Sequence, residues 1–405
     1  MLPDERHARR LLLASAALGL VLRLAFGLVY WVGQPLTHDE QEYLALARAL
    51  RSGAGFTYQQ DTETGTAQQF GRAPGYPLFL ASVDGGRPIP AEVPARVKVA
   101  QSIVGAGIVW IIGVLAFAAA GPRAAIVASS IAAVYPPLIV MPAYALSETV
   151  YCLLALATVM ATQKAVEQHS WSVGALAGAL AGAAALTRPA LLFFIPLACI
   201  WMMVRGQLAV AVALAIAAGA VITPWTVRNW QTYDRFVLIA SEGGVTFWTG
   251  NHPLARGDGD LAANPELKRA DLEFRSAHPG LSAEALEPLY YQEALGWIRT
   301  HPVDWALLVV RKAFYTIVPL GPSYALHSVK YRAVSVLPYL ALLPFAFAGA
   351  WRLRRSPQRP LALGLLALSS VLVCLIFFPQ ERFRLPVIDP ALIISAAALA
   401  GRSQS

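Results

Sequence analysis

Ten apolar runs dictate what this chain can become. They lie near residues 11–32, 96–119, 123–141, 144–163, 172–187, 189–204, 207–226, 333–351, 359–378 and 385–401. A bilayer core is crossed by about 20 apolar residues in a helix, which satisfies every backbone polar group internally. The pattern therefore predicts an all-α polytopic membrane protein forming one domain over 1–405. Only 14% of residues are charged, against about 25% in soluble domains. The net charge of +8 does not point to nucleic acid, because the basic residues gather at the ends of apolar runs, as membrane topology requires. Cys152, Cys199 and Cys374 all lie inside apolar runs and read as buried thiols. Leu11–Val32 is too long for a signal-peptide core and no small-residue cleavage site follows it, so it reads as a retained first helix.

Charge sets the expected orientation. Arg6, Arg9 and Arg10 place the N-terminus in the cytoplasm, with Arg123, Lys164, Arg205 and the cluster Arg352, Arg354, Arg355, Arg359 on the same side. Two long loops then face outward. The expected organisation is a seven-helix module over 1–230 containing the first outer loop, 33–95, then a second outer loop with interfacial helices over 231–332, then a three-helix module over 333–405. The stretch 303–320 is apolar but carries Arg311-Lys312 at its middle. Spanning would bury two cations and send the 352–359 cluster outward, so it is expected at the outer interface. Ten spans are expected, eleven being the alternative. The alanine-rich, cysteine-poor composition suggests a bacterial inner membrane. Thr187-Arg188-Pro189 reads as a tight hairpin, and the glycines from Gly174 to Gly182 as a close helix contact.

Thr37-His38-Asp39-Glu40 follows the first run directly. Carboxylates at a membrane surface are costly to desolvate. Apolar residues at Tyr43, Leu46, Ala47 and Leu50 predict an amphipathic helix lying on the membrane, capped by a Thr37–Glu40 box and stopped by Gly53 and Gly55. Asp39 and Glu40 then either cap that helix or carry catalysis. His38 beside Asp39 offers two ligands for a divalent cation, and no metal cluster of diagnostic spacing is present. Arg72, in the rigid turn Gly71-Arg-Ala-Pro-Gly-Tyr-Pro-Leu-Phe79, either snorkels or holds a lipid phosphate. Arg228, in Pro224-Trp-Thr-Val-Arg-Asn-Trp230, has the same two readings. Arg382 and Arg384, in Gln380-Glu-Arg-Phe-Arg-Leu-Pro386, lie on the outer side where topology disfavours arginine, which favours phosphate or substrate contact. Arg23 and Glu148 lie within apolar runs and read as a mutual ion pair. Arg188 is expected to point at the site.

Together these residues resemble the family-39 branch of the GT-C membrane glycosyltransferases, whose relatives include protein O-mannosyltransferases and the lipid A aminoarabinose transferase. The resemblance rests on Asp39-Glu40 followed by Tyr43-x₃-Ala-Arg-Ala-Leu-x₂-Gly53 and on Arg72-Ala-Pro-Gly-Tyr-Pro-Leu-Phe-Leu-Ala81. Thr187-Arg-Pro189, Pro224-Trp-Thr-Val-Arg-Asn229, Gly250-Asn-His-Pro253 and Arg382-Phe-Arg-Leu-Pro386 extend it over nearly the whole chain. It implies a GT-C fold, a polyprenyl-phosphate sugar as donor, and transfer to an acceptor hydroxyl on the outer face. It also implies Asp39 as base or acceptor positioner and Arg72 at the lipid phosphate. Direct displacement would invert the anomeric carbon. Tyr43, Tyr76 and Trp248, with His38, Glu148, Arg188 and Asn251, are the expected sugar or acceptor pocket. The acceptor is a lipid, glycan or protein. No large soluble C-terminal domain follows the last apolar run, a departure that sets a protein acceptor in question. The rival readings are a transporter of lipid-linked saccharides, which would place its site near the midplane, and a membrane glycan ligase.

Overall fold

The computed structural model describes residues 3–56, 71–84, 91–326, 328–356 and 359–401. Parts of the first outer loop, 57–70 and 85–90, lie outside the described residues. Among the described residues there is no strand. The α-helices are α1 (Pro3–Ala25), α2 (His38–Arg51), α3 (Gly75–Asp84), α4 (Ala95–Ala120), α5 (Pro122–Val134), α6 (Pro136–Val140), α7 (Glu148–Gln168), α8 (Trp171–Thr187) and α9 (Phe194–Val204). They continue with α10 (Leu208–Tyr233), α11 (Gly243–Gly250), α12 (Pro265–Ser276), α13 (Ala283–Thr300), α14 (Pro302–Ile317), α15 (Val329–Leu353), α16 (Leu361–Ile376), α17 (Glu381–Arg384) and α18 (Ile388–Ala397).

Every expected apolar run is helical, and the chain is an all-α polytopic membrane protein. Arg6–Tyr30, α4, α7, α10 and α15 are each long and apolar enough to cross a bilayer alone. The run 123–141 is broken at Pro136-Pro137 into two helices bent by 59°, as expected where proline removes a helix donor. The runs after residues 171, 189, 361 and 388 are apolar helices of 10–17 residues, packed into the bundle.

Close backbone approach holds the bundle together. Gly174, Gly178 and Gly182 put three glycines on the α8 face that meets α10; a Cβ on Gly178 would strike the Leu214 carbonyl. The small-residue seam expected from the sequence is thus a real contact, and it substitutes for a hydrophobic driving force that lipid cannot supply. The basic ends of the helices share one face. Gln207 donates to the Val166 carbonyl at 3.0 Å, and Arg352 donates to the Leu399 and Gly401 carbonyls at 3.0 and 2.8 Å. The two long loops cover the opposite face.

Helix α14 stays on that loop face. Trp305 and Lys312 both donate to Asn251 Oδ1 at 3.0 Å, and Lys312 Nζ also reaches the Leu375 carbonyl at the end of α16 at 3.2 Å. The buried ammonium thereby caps a helix C-terminus, where the dipole favours a cation. Arg311 is exposed. Val303, Leu307, Val310, Phe314 and Ile317 form an exposed stripe at helical spacing, the face an interfacial helix offers to lipid.

Helix α2 is capped as expected, with both halves of the Thr37–Glu40 box made, and Gly53 and Gly55 follow it at φ 78° and 80°. Its apolar face does not lie on lipid. Tyr43, Leu44 and Ala47 pack on Tyr76 and Leu80 of α3 and on Val97 and Ala145. In the second loop, Trp248, Leu267, Leu286, Tyr290 and Ala294 form a separate small core joining α11, α12 and α13. The interfacial helices expected within 231–332 are therefore joined in a packed unit.

Candidate active site

The capping box aims Asp39 and Glu40 in different directions. Glu40 Oε2 accepts from the Thr37 amide at 2.7 Å and hydroxyl at 2.8 Å, and Oε1 accepts from the Ala145 amide at 2.9 Å. Both oxygens are committed, so Glu40 ties the start of α2 to the segment before α7. Asp39 turns to the other side. Its Oδ1 accepts from Arg72 Nη2 at 2.8 Å and its Oδ2 from Arg382 Nη1 at 2.5 Å.

These contacts belong to one charged network. Arg72 Nε donates to Glu42 Oε2 at 2.9 Å, Nη2 makes a second, shorter bond to the same oxygen, and Nη1 donates to Glu242 Oε2 at 3.1 Å. Its guanidinium lies 5.5 Å from the Tyr43 ring centroid. Arg382 Nε is 3.3 Å from Glu148 Oε1, which is 2.7 Å from Arg188 Nη1. The chain of charges runs Arg72–Asp39–Arg382–Glu148–Arg188. Burial alone would raise the Asp39 pKa, but the adjacent Arg382 and Arg72 guanidiniums override it and hold the carboxyl well below the usual carboxylate range.

Two cavities meet at this network. The larger, about 900 Å³, is lined at one end by Arg72, Arg188, Arg382 and Glu242 and along its length by apolar residues including Leu192, Phe193, Leu238 and Phe377. The smaller, about 450 Å³, is lined by His38, Glu42, Arg72, Glu242, Thr249, Asp271 and Arg275 among others. Arg72, Glu242, Thr246 and Phe378 border both. The local sequence builds these walls. Gly75 of the Arg72 turn abuts Leu186 and Thr187 with no room for a Cβ, which seats Arg72 beside Arg188. Gly71 exchanges hydrogen bonds with Ser241 at 3.0 and 2.7 Å, joining the two long loops. Trp225, Thr226 and Asn229 donate to the carbonyls of Val237, Leu238 and Ile239 at 2.8–3.2 Å, holding the apolar wall in place.

The structure brings Asp39, Arg72, Arg382, Glu148, Arg188, Tyr43 and His38 together. The remaining expected residues stand apart from this network. Arg228 donates to the Phe56 carbonyl at 2.9 Å and Tyr233 Oη at 3.0 Å and packs over Trp225. Arg384 is buried against Asp389 at 3.0 Å and lies over the Tyr339 ring. Tyr76 is fully buried and donates to Gln101 Oε1 at 2.9 Å. Trp248 belongs to the loop core, and Asn251 bridges Phe247, Ile376, Trp305 and Lys312. The expected Arg23–Glu148 ion pair is corrected: Arg23 donates to the carbonyls of Gly19 and Ala132 at 2.9 and 3.3 Å, and Glu148 pairs with Arg188 and Arg382. Glu42 and Glu242 were not anticipated. Glu42 was accessible, since it lies one turn beyond His38 on the same helix face. Glu242 precedes a glycine pair and carries no local signal.

His38, Asp39 and Glu42 each offer a ligand atom, all within 4.8 Å of one another. One imidazole and two carboxylates suit a divalent cation such as zinc by donor type.

The sequence matches no protein-family model and none of the curated proteins. Solved structures do match. The oligosaccharyltransferase AglB from Archaeoglobus fulgidus, in complex with an inhibitory peptide and a dolichol-phosphate, superposes with TM-score 0.58 at 15% identity, over 98% of this chain and 50% of that one. The same enzyme in complex with Zn and sulfate gives 0.56 at 15%, over 96% and 48%. ArnT from Cupriavidus metallidurans bound to undecaprenyl phosphate gives 0.49 at 15%, over 96% and 59%; the fold assignment rests on the first two. The chain spans about half the length of the oligosaccharyltransferase chains it matches. It has the GT-C fold.

Proposed function

We propose that this GT-C-fold chain is a membrane glycosyltransferase that moves a sugar from a polyprenyl-phosphate donor to an acceptor hydroxyl at the membrane surface. The observation that carries the reading is Asp39, held between Arg72 and Arg382 where an apolar-walled cleft meets a polar cavity. The oligosaccharyltransferase AglB, whose structure was determined in complex with an inhibitory peptide and a dolichol-phosphate, supports a lipid-phosphate donor.

The donor's polyprenyl chain lies along the apolar wall with its phosphate among Arg72, Arg382 and Arg188. Guanidinium forks suit phosphate oxygens, and they stabilise the charge that grows on the departing phosphate. Paired with two arginines, Asp39 is a weak base. A phosphate that draws the arginines away frees the carboxylate to accept the acceptor's proton. Attack from the side opposite the phosphate inverts the anomeric carbon. A divalent cation, where one is used, would be held by His38, Asp39 and Glu42 and would orient and acidify the acceptor hydroxyl. The basic helix ends support a cytoplasmic N-terminus, with the loops and the site facing the periplasm or exterior of a bacterial inner membrane. The charged groups gather at the loop ends of the helices, which disfavours a midplane transport site.

Binding of polyprenyl phosphate to the purified protein tests the cleft. Arg382→Met should weaken it tenfold or more. Unchanged affinity in Arg382→Met and Arg188→Met would refute the placement.

A further inference from the structure

Arg384 does not border the cleft, and its surroundings show what it holds. It follows Arg382 by two residues in α17, a helix of four residues. On an α-helical turn two such residues lie about 200° apart around the axis. Arg382 borders the larger cavity, and Arg384 points the other way, into the bundle. There its Nε lies 3.0 Å from Asp389 Oδ1, its guanidinium lies 4.0 Å from the Tyr339 ring centroid, and Nη2 donates to Ser335 Oγ at 3.4 Å. Asp389 is fully buried, and its Oδ2 accepts from Tyr135 Oη at 2.9 Å. Tyr135 stands at the break between α5 and α6. Pro136 and Pro137 have no amide hydrogen to offer the Ala132 and Ala133 carbonyls four residues back. Arg23 donates to those two carbonyls instead, at 3.3 and 3.5 Å. A buried polar chain thus runs from Arg23 through the broken helix, Tyr135 and Asp389 to Arg384, and ends on the turn that carries Arg382.

We infer that Asp389 and Arg384 are positioning residues for the donor phosphate: their buried pair holds α17 so that Arg382 faces the cleft. The inference rests on the lipid-phosphate reading and extends it from the cation that meets the phosphate to the pair that aims that cation. A helix of four residues does not hold its own shape, because so short a run does not repay its nucleation. Its direction therefore comes from what its side chains grip. Arg382 itself grips Asp39 and Glu148, but these contacts loosen when a phosphate draws the guanidinium away. A hold that survives donor binding has to come from another residue. Arg384 supplies it from the opposite side of the same turn. A buried ion pair adds little net stability over apolar residues of the same size; what this pair adds is a fixed direction for α17.

The test is binding of labelled undecaprenyl phosphate to the purified full chain in detergent. Asp389→Asn alone would strand a buried guanidinium. Both charges are therefore removed together, in Arg384→Met/Asp389→Asn, where the asparagine oxygen still accepts from Tyr135. This double variant should melt within a few degrees of wild type yet bind about tenfold more weakly. In an Arg382→Met background the same two substitutions should change affinity less than twofold, because the residue they aim is gone. A merely structural role would weaken binding by the same factor in both backgrounds. Arg384→Lys keeps the charge without the planar fork and should weaken binding threefold or more, which keeps the inference refutable if the double variant fails to fold. Unchanged affinity in the folded variants overturns the inference. So does an equal loss with and without Arg382. Wild-type protein that binds no undecaprenyl phosphate refutes the parent reading instead, and the inference falls with it.

Discussion

Arg72 supports both the fold and the proposed chemistry, and the structure shows how to separate the two. Its guanidinium serves Asp39, Glu42 and Glu242 at once. Glu42 is 7% exposed, and burial already pushes its pKa up against the opposing charge of Arg72. Arg72→Met removes that charge. Stranding one partner of a buried ion pair costs about 3–5 kcal/mol, and loss of a preorganised cation at a developing anion costs about 10²–10³ in turnover. Arg72→Met should therefore lower the melting temperature in detergent by several degrees and abolish most transfer. Adding Glu42→Gln removes the stranded carboxylate, so the double variant should regain most of the stability. It should not regain turnover relative to Glu42→Gln alone, because the phosphate still lacks its cation. The assays are a thermal melt and initial-rate kinetics at saturating donor. A double variant that recovers both stability and the turnover of Glu42→Gln would refute the reasoning and reduce Arg72 to a structural residue.

Three further outcomes are expected. Glu40→Gln should cost about 1–2 kcal/mol by weakening the capping box and the Ala145 contact, with turnover of the folded fraction falling less than tenfold; a loss as deep as that of an Asp39 variant would contradict the division between the two carboxylates. Burial raises the Glu287 pKa to about 7, the neighbouring Glu284 and Glu242 charges adding to it. The folded chain then keeps a proton that the unfolded chain loses, so stability falls as pH rises from about 4.5 to about 7 and levels off above; denaturant melts of Glu287→Gln should lack that slope. Gly178→Val should prevent the close approach of α8 and α10, costing about 3 kcal/mol or more by overpacking, read as loss of monodisperse protein in detergent.

The sequence disclosed the scaffold more fully than the site. Apolar runs of span length located the helices, because a bilayer leaves the backbone few alternatives. The run 123–141 reads as one helix in the sequence, and the structure breaks it at the proline pair 136–137. The Thr37–Glu40 box was legible from four residues, since capping is local chemistry. Asp39, Arg72 and Arg382 were singled out from three distant motifs, but their convergence was not derivable: nothing local to residue 382 says that it meets residue 39 across 343 positions. The same limit explains the misplacements. Arg228 and Arg384 have the composition of phosphate ligands, yet neighbouring carbonyls, rings and Asp389 occupy them. Glu148 went to Arg188 and Arg382 because Arg23 found carbonyls nearer to hand.

The most direct measurement is sugar transfer by the purified protein in liposomes, wild type against Asp39→Asn, with labelled polyprenyl-phosphate sugar and a membrane-derived acceptor. Glycosylated acceptor and free polyprenyl phosphate should accumulate together in wild type, with product of inverted anomeric configuration by NMR, and the rate should fall by about 10²–10⁴ in Asp39→Asn. Equal rates in the two proteins, or movement of intact donor across the bilayer with no transfer, would contradict the account.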